Sequence, residues 1–382
     1  MKNIRYVLIV ALLFSVGTSA IAQLKRANRR FDQLAYARAI FLYEKGLKKK
    51  SGNLEAMARL ADCYRLTSDS KHAENWYKQV TKNRKSDPKN CFYYGQALMN
   101  NRKWEEASKW FEKYLDKKPG DKLAERALWS SKNHHEFVRD SSLYTVVPTN
   151  LNTAEADFGP SFYMDKELVF ASARKPGRFE HSWTNRSFLD LYRADFSANR
   201  QGLGEAKRLD GQVNSKLHEG GQTFSSDGQV MFFSRNNFHR GKVGHSSEGV
   251  VRLKTFRADL KGGKWKNVTG IPFNDDEYSI GHPSLSSDGK TLYFVSDMPG
   301  GEGGTDLYKV KLSLKEELWG EPENLGPEIN TSGNEMFPWI SQDGHLYFAS
   351  DGHEGLGGLD IFQVKNLAGN GIKVSNMGYP IN

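Results

Sequence analysis

Cysteine is nearly missing from this chain, with two in 382 residues, Cys63 and Cys91. Neither sits in a C-x-x-C or Cys/His spacing, which excludes a disulfide-stapled framework and a zinc ligand set. The two fall at different heights on the first helices of adjacent predicted units, and parallel neighbouring helices lie about 8–10 Å apart. A disulfide needs Cα atoms within about 7 Å, so both thiols are expected to stay free. After residue 22 no apolar run reaches the length that crosses a bilayer. No G-x-S-x-G elbow and no paired acid/base constellation is present, so no catalytic residue is nominated. The adjacent His134 and His135 beside Glu136 would point to different sides of one helix, which argues against a shared metal. The expectation is a non-enzyme without metal or cofactor.

What is there begins with a leader. Lys2 and Arg5 precede the apolar run Tyr6–Phe14, and Ala20-Ile21-Ala22 offers small residues at a cleavage site. Residues 1–22 therefore read as a secretory signal peptide cut after Ala22. The run is too short for a mature membrane anchor, and no cysteine follows to carry a lipid. The rest divides by charge. Residues 24–140 carry 27 Lys+Arg against 15 Asp+Glu, and residues 141–382 carry 25 against 30. A basic and an acidic domain share one chain, and for an exported protein acidic protein surfaces or lipid headgroups are better partners than nucleic acid.

Residues 23–140 repeat with helical apolar spacing. Ala39, Ala73 and Ala107 stand 34 apart, as do Tyr43, Tyr77 and Phe111, Ala61 and Gly95, and Trp76 and Trp110. Small residues let paired helices approach while the aromatics fill the seam, and each hairpin needs its neighbours to bury its face. The pattern resembles tetratricopeptide repeats, with a partial unit at 28–50, full units at 54–87 and 88–121, and a capping helix near 122–138. Such repeats imply a protein- or peptide-binding groove; with so few units a structural spacer is the other reading.

Residues 141–382 change texture. "LVFAS", "VMFFS", "TLYFVS" and "HLYFAS" follow the turns "YMDKE", "SSDGQ", "SSDGK" and "SQDGH", and Asp-Gly is a hairpin signal. "DFGPSF", "EGGQTF", "GHPSL" and "MFPWI" come before those turns, and every unit closes on an asparagine: Asn214, Asn274, Asn330, Asn382. Four strands per unit suit β-propeller blades. The units resemble the Pro-Asp subtype of WD40-like repeats found in TolB-type propellers. Blades one and two, lacking the Asp-Gly turn and the Gly-Gly-x-Asp phrase respectively, should be less regular. Asp306 and Asp360 after paired glycines are read as carboxylates that bond turn amides rather than as calcium ligands.

Two connections stand out by length. The second-to-third strand connection spans nine residues in blades three and four, but seventeen in blade one (Ala173 to Leu189) and nineteen in blade two (Arg235 to Leu253). The first holds Arg174, Lys175, Arg178, Phe179, Trp183 and Arg186; the second holds Arg235, Phe238, Arg240 and Lys242. Basic residues with aromatics are what protein-binding patches favour, so these ten are the candidate partner-binding residues, solvated insertions being the alternative.

Leader, tetratricopeptide repeats and Pro-Asp propeller in this order resemble periplasmic OmpA-family proteins, among them the PorE-type component of type IX secretion and gliding machinery. The resemblance implies a non-enzymatic scaffold near the outer membrane that engages secretion-complex proteins or a PorP/SprF-type β-barrel. The family's peptidoglycan-binding OmpA domain is absent from these residues, so peptidoglycan could be reached only through a domain not in this sequence. A ligand-binding sensory propeller taking a glycan or peptide is the alternative. Strand arithmetic adds one expectation: "YTVVPTNLN" (144–152) supplies a seventeenth strand, "SNMGYPIN" (375–382) forms the outer strand of blade four, and the four blades make an open, incomplete five-blade ring in a truncated product.

Overall fold

The computed structural model describes residues 20–49, 52–139, 142–175, 180–196, 202–365, 367 and 371–382. They form two compact units: residues up to 134 together with Glu180–Arg186, and residues 135–179 with 187–382.

The described residues of the helical unit form seven α-helices: α1 over 20–32, α2 Tyr36–Lys49, α3 Leu54–Leu66, α4 Ser70–Val80, α5 Lys89–Asn100, α6 Trp104–Leu115 and α7 Lys122–Asn133. Side-chain oxygens start three of them: Asn53 accepts from Ala56 N–H at 2.9 Å, Asp69 from His72 N–H at 3.1 Å, and Asp121 from Leu123 N–H at 3.1 Å. The 34-residue landmarks are the core: Ala39, Ala73, Ala107, Tyr43, Tyr77, Phe111 and Ala61 are all buried. Gly95 faces the Phe111 ring so closely that a Cβ would lie 2.6 Å from it. Gly95→Val should therefore lower stability by about 1–3 kcal/mol in urea melts, through overpacking at that crossing. The first repeat is a full hairpin and not a partial one. Leu24 and Ala27 of α1 enter the core beside Tyr36 and Tyr43, and Tyr43 Oη donates to Asn28 at 2.7 Å. The expected leader overlaps this helix at residues 20–22; its first nineteen residues lie outside the described set. Both cysteines are free and buried. No helix among the described residues is long and apolar enough to cross a membrane.

The second unit is a four-blade propeller arrangement of antiparallel sheets. From the inside outward, blade one runs Asp157–Tyr163, Glu167–Ser172, Asp190–Asp195, Lys207–Arg208. Blade two runs Glu219–Phe224, Val230–Asn236, Leu253–Lys261, Lys264–Gly270, and blade three runs Ile280–Leu285, Thr291–Ser296, Asp306–Ser313, with Glu323–Asn324 outermost. Blade four runs Glu335–Ile340, Leu346–Ser350, Asp360–Lys365, Lys373–Asn376. The Asp-Gly turns hold Gly228, Gly289 and Gly344 at φ 67°, 69° and 84°. Ser225 and Ser286 hydroxyls donate to Asp227 and Asp288 at 2.5 and 2.6 Å, and Ser341 does the same to Asp343. Blade one makes the turn without glycine, holding Met164 and Asp165 at φ 53° and 54°. Asp306 accepts from Glu302 and Gly303 N–H at 2.5 and 3.2 Å, and Asp360 from Gly357 N–H at 3.1 Å, the turn role expected for both.

The repeated asparagines have one geometry. Asn214 Oδ1 accepts from Leu191 N–H at 2.6 Å while its Nδ2 donates to Leu191 C=O at 3.1 Å. Asn274 holds Thr255 in the same way (3.1 and 2.7 Å), Asn330 holds Leu307 (2.8 and 3.1 Å) and Asn382 holds Ile361 (2.6 and 3.0 Å). Each closing asparagine thus stands in for a strand neighbour on the third strand of its own blade.

Apolar cores lie between successive blades: Val169, Ala171 and Leu191 meet Met231, Phe233 and Phe256; Phe232 meets Leu292, Phe294 and Tyr308; Val295 and Leu307 meet Leu346, Phe348 and Phe362. Among the described residues no such core joins blade four to blade one, so the arrangement is open there. One expected strand is not formed, and another is shifted toward the N-terminus. Residues 144–152 carry no strand, and Tyr144, Val146 and Val147 are exposed; the segment meets blade one through side chains, with Asn150 Nδ2 donating to Leu203 C=O at 2.7 Å. Leu151 of that segment packs with Phe170 and Tyr192 over blade one. The outer strand of blade four ends at Asn376, and the residues after it turn back to deliver Asn382 to Ile361.

Candidate functional site

The inner strands of all four blades surround a cavity of about 830 Å³. Its walls include Phe158, Gln222, His282 and Phe337, and towards blades one and four also Phe162, Met164, Trp339, Tyr347 and Ile361. Each inner strand is bulged, and the bulge residue is left-handed: Gly159 (φ 61°), Gly221 (53°), His282 (51°) and Phe337 (53°). Glycine takes this conformation freely; His and Phe hold it at a cost of about 1–3 kcal/mol each. The strain brings the two rings together, stacked with centroids 4.0 Å apart and 19° between planes, while Phe158 meets Phe337 edge-on at 6.0 Å.

The cavity wall is mixed, and much of its polar part is committed within the protein. Gln222 is buried; its Nε2 donates to the Gly159 and Val169 carbonyls at 2.8 and 2.6 Å, while its Oε1 has no partner, and neither does His282 Nδ1. The hydroxyls of Ser225 and Ser286 are taken by the turn aspartates, and those of Thr223 and Ser284 accept from Leu285 and Ile340 N–H. Burial lowers the His282 imidazole from its ordinary value to about 4. The unfolded chain therefore binds the proton first, and this contribution to stability, complete above about pH 6.5, is lost as pH falls toward 4. His282→Gly should flatten that acid limb by about 1–3 kcal/mol in stability measured between pH 7 and 4. Among the described residues no group of three or more His, Cys, Asp or Glu is placed to hold a metal ion.

The ten sequence-nominated residues divide. Arg174 is a structural member of blade one: it pairs with Asp157 at 2.9 Å, donates to Leu151 C=O at 2.9 Å, and lies over Phe170 and Tyr192. Arg235 belongs to the second strand of blade two and not to the loop, buried against Glu219 at 2.9 Å and donating to the Gln212 and Val213 carbonyls. Arg178 and Phe179 lie outside the described residues. Trp183 packs within the helical unit, edge-on to Tyr36 at 4.8 Å with Nε1 donating to Leu66 C=O at 2.9 Å. Arg186 closes the same short segment and Lys175 is exposed in blade one. Phe238, Arg240 and Lys242 stay together on a hairpin in which Phe238–His239 pairs with Lys242–Val243. Arg240 and Gly241 at its tip have φ 48° and 83°. Arg240 and Lys242 are exposed, and Lys216 Nζ lies 5.0 Å from the Phe238 ring centroid. The loop is tied to its surroundings: Asn237 donates to Asp276 at 2.6 Å, Ser247 to Glu277 at 2.7 Å, and Arg252 pairs with Asp297 at 3.3 Å. Neither unit holds both nominated loops.

The bulge residues went unnominated, although "DFGPSF", "EGGQTF", "GHPSL" and "MFPWI" carry the signal: one aligned position reads Gly, Gly, His, Phe.

Residues 32–114 match the family described as anaphase-promoting complex, cyclosome, subunit 3. No curated protein matches. Among solved structures, the second tetratricopeptide domain of human RPAP3 in complex with an HSP70 peptide is 29% identical, covering 31% of this chain and 98% of that one, with a TM-score of 0.28. A TolB-like protein from Agrobacterium tumefaciens is 17% identical, covering 59% and 81%, at TM-score 0.34. A puromycin-hydrolysing peptidase from Mycobacterium tuberculosis is 14% identical, covering 61% and 32%, at TM-score 0.33. By its own elements the chain carries a tetratricopeptide-type helical repeat followed by a four-blade propeller arrangement.

Proposed function

We propose that this chain is a non-enzymatic, periplasmic protein-interaction scaffold at the outer membrane, working in type IX secretion or gliding machinery with a PorP/SprF-type β-barrel. The cellular setting draws on the order of leader, helical repeat and Pro-Asp propeller in the sequence. The observation that carries the partner-binding part is the tethered hairpin of blade two. Its exposed Arg240 and Lys242 present a basic tip on a propeller that is otherwise net acidic. A preorganised charged tip loses little entropy on docking, and it steers an acidic partner. The test is capture of a PorP/SprF-type barrel by the full chain from its own envelope, with Arg240→Glu plus Lys242→Glu as the comparison. Barrel recovered by the native chain and reduced at least tenfold by the variant supports the reading; equal recovery, or none, overturns it. A ligand-binding propeller is favoured by the unpartnered Gln222 Oε1 and His282 Nδ1 in the cavity, and it predicts a glycan- or peptide-dependent rise in melting temperature.

A further inference from the structure

The four blades allow an internal comparison. On the third strand, one position points from each blade toward the next: Leu191, Thr255, Leu307 and Ile361. The first three are 0% exposed, whereas Ile361 is 39% exposed. On the second strand the matching residues facing onward from blade three are Tyr293 and Val295, and from blade four Tyr347 and Ala349. Trp339, beside Tyr347 at 5.3 Å, is 50% exposed. Blade four therefore presents an apolar face of the same make as the one blade three buries, continuous with the axial cavity. The opposite flank needs no cover: blade one's Phe170 and Tyr192 are already sealed by Leu151 and Arg174.

What covers such a face is also present in the molecule. Against blade three lies the hairpin of blade four's second and third strands, with Leu346, Phe348, Phe362 and Val364 turned toward Tyr293, Val295 and Leu307. Blades two and three offer their predecessors the same type of quartet: Met231, Phe233, Phe256 and Ala258, then Leu292, Phe294, Tyr308 and Val310. A small polar ligand would suit the face poorly, because most hydroxyls around the adjoining cavity are already bonded within the protein.

We infer that the open face of blade four is a docking site for a β-hairpin from outside these 382 residues, with aromatic residues at its centre and aliphatic ones flanking them on one side. The inference rests on the scaffold reading only in taking a protein as the occupant. The probe is a labelled peptide joining Leu346–Ser350 to Asp360–Lys365 through a D-Pro-Gly turn. That turn keeps the native register because Ser350 and Asp360 are directly paired. Fluorescence anisotropy with the full chain should show saturable binding. Ile361→Glu, a change at an exposed position, should weaken it at least tenfold, and Phe41→Glu on the exposed side of α2 should leave it unchanged. Absence of saturable binding overturns the inference, as does equal binding by Ile361→Glu or by a hairpin with both phenylalanines changed to serine. A chain that is dimeric in sedimentation, and that Ile361→Glu makes monomeric, also overturns it in favour of a second copy. Barrel capture by the Ile361→Glu chain separates this site from the blade-two hairpin, since the scaffold reading stands or falls on Arg240 and Lys242.

Discussion

Arg235→Ala should destabilise the propeller by about 3–5 kcal/mol, the usual cost of stripping one partner from a buried ion pair. Glu219 and Arg235 are both buried, and the guanidinium also satisfies the Gln212 and Val213 carbonyls. Without it the carboxylate is left with Ser215, whose N–H lies at 3.0 Å and whose hydroxyl also bonds it. Burial already raises Glu219 to about 7 in the intact pair. A carboxyl raised in the folded state is favoured protonated, so its contribution to stability is present at low pH and lost as pH rises. The variant should therefore lose more at pH 8 than at pH 5, and urea melts at the two values read this directly. The equivalent positions of the other blades carry Ser172, Ser296 and Ser350, and in blade four Ser350 donates to Glu335 at 2.6 Å. Arg235→Ser should consequently recover part of the loss, because a hydroxyl can donate to Glu219 where alanine cannot.

Asn330→Ala should cost about 1–3 kcal/mol, while Asn382→Ala should cost less than about 1 kcal/mol. The contrast follows from burial. Asn330 closes both backbone groups of Leu307 and also donates to Asn324 at 2.8 Å, all within packed surroundings. Removing it orphans the buried Leu307 N–H, which costs about 1–3 kcal/mol when left unpaired, while the Leu307 C=O keeps the Leu325 N–H at 3.0 Å. Asn382 makes the same pair of bonds to Ile361, but on the open face, where water can replace them. Denaturant midpoints of the two variants against the native chain check both numbers. Equal losses would mean that the two pincers are not graded by burial.

Much of this architecture is readable in the residues. The 34-residue spacing of Ala39, Ala73 and Ala107 reports helix crossings because only small side chains fit them. The Ser-x-Asp-Gly turns and closing asparagines recur because the same backbone problem is solved in successive blades. What escaped has physical reasons too. Residues 20–32 satisfy a cleavage pattern and an amphipathic helix at once, and the helix packs through Leu24 and Ala27. Arg235 looks like loop charge by its neighbours, yet it aligns with the strand serines and finds Glu219 sixteen residues upstream. Residues 144–152 have the composition of a strand, but composition does not reveal that the segment meets blade one through side chains. The bulged His282 and Phe337 take a left-handed backbone that their own side chains do not favour, and only the glycines at the aligned positions of blades one and two hint at it.

The asparagine pincers set an order of events for the growing chain. Each reaches back only 23, 19, 23 and 21 residues to its target strand. A blade is therefore locked as soon as its closing residue arrives, without waiting for any later part of the polypeptide. Loops this short close quickly and at modest entropic cost. A chain delivered N-terminus first can thus fold blade by blade as it emerges. Each finished blade offers the next an apolar template, and blade four presents its own exposed.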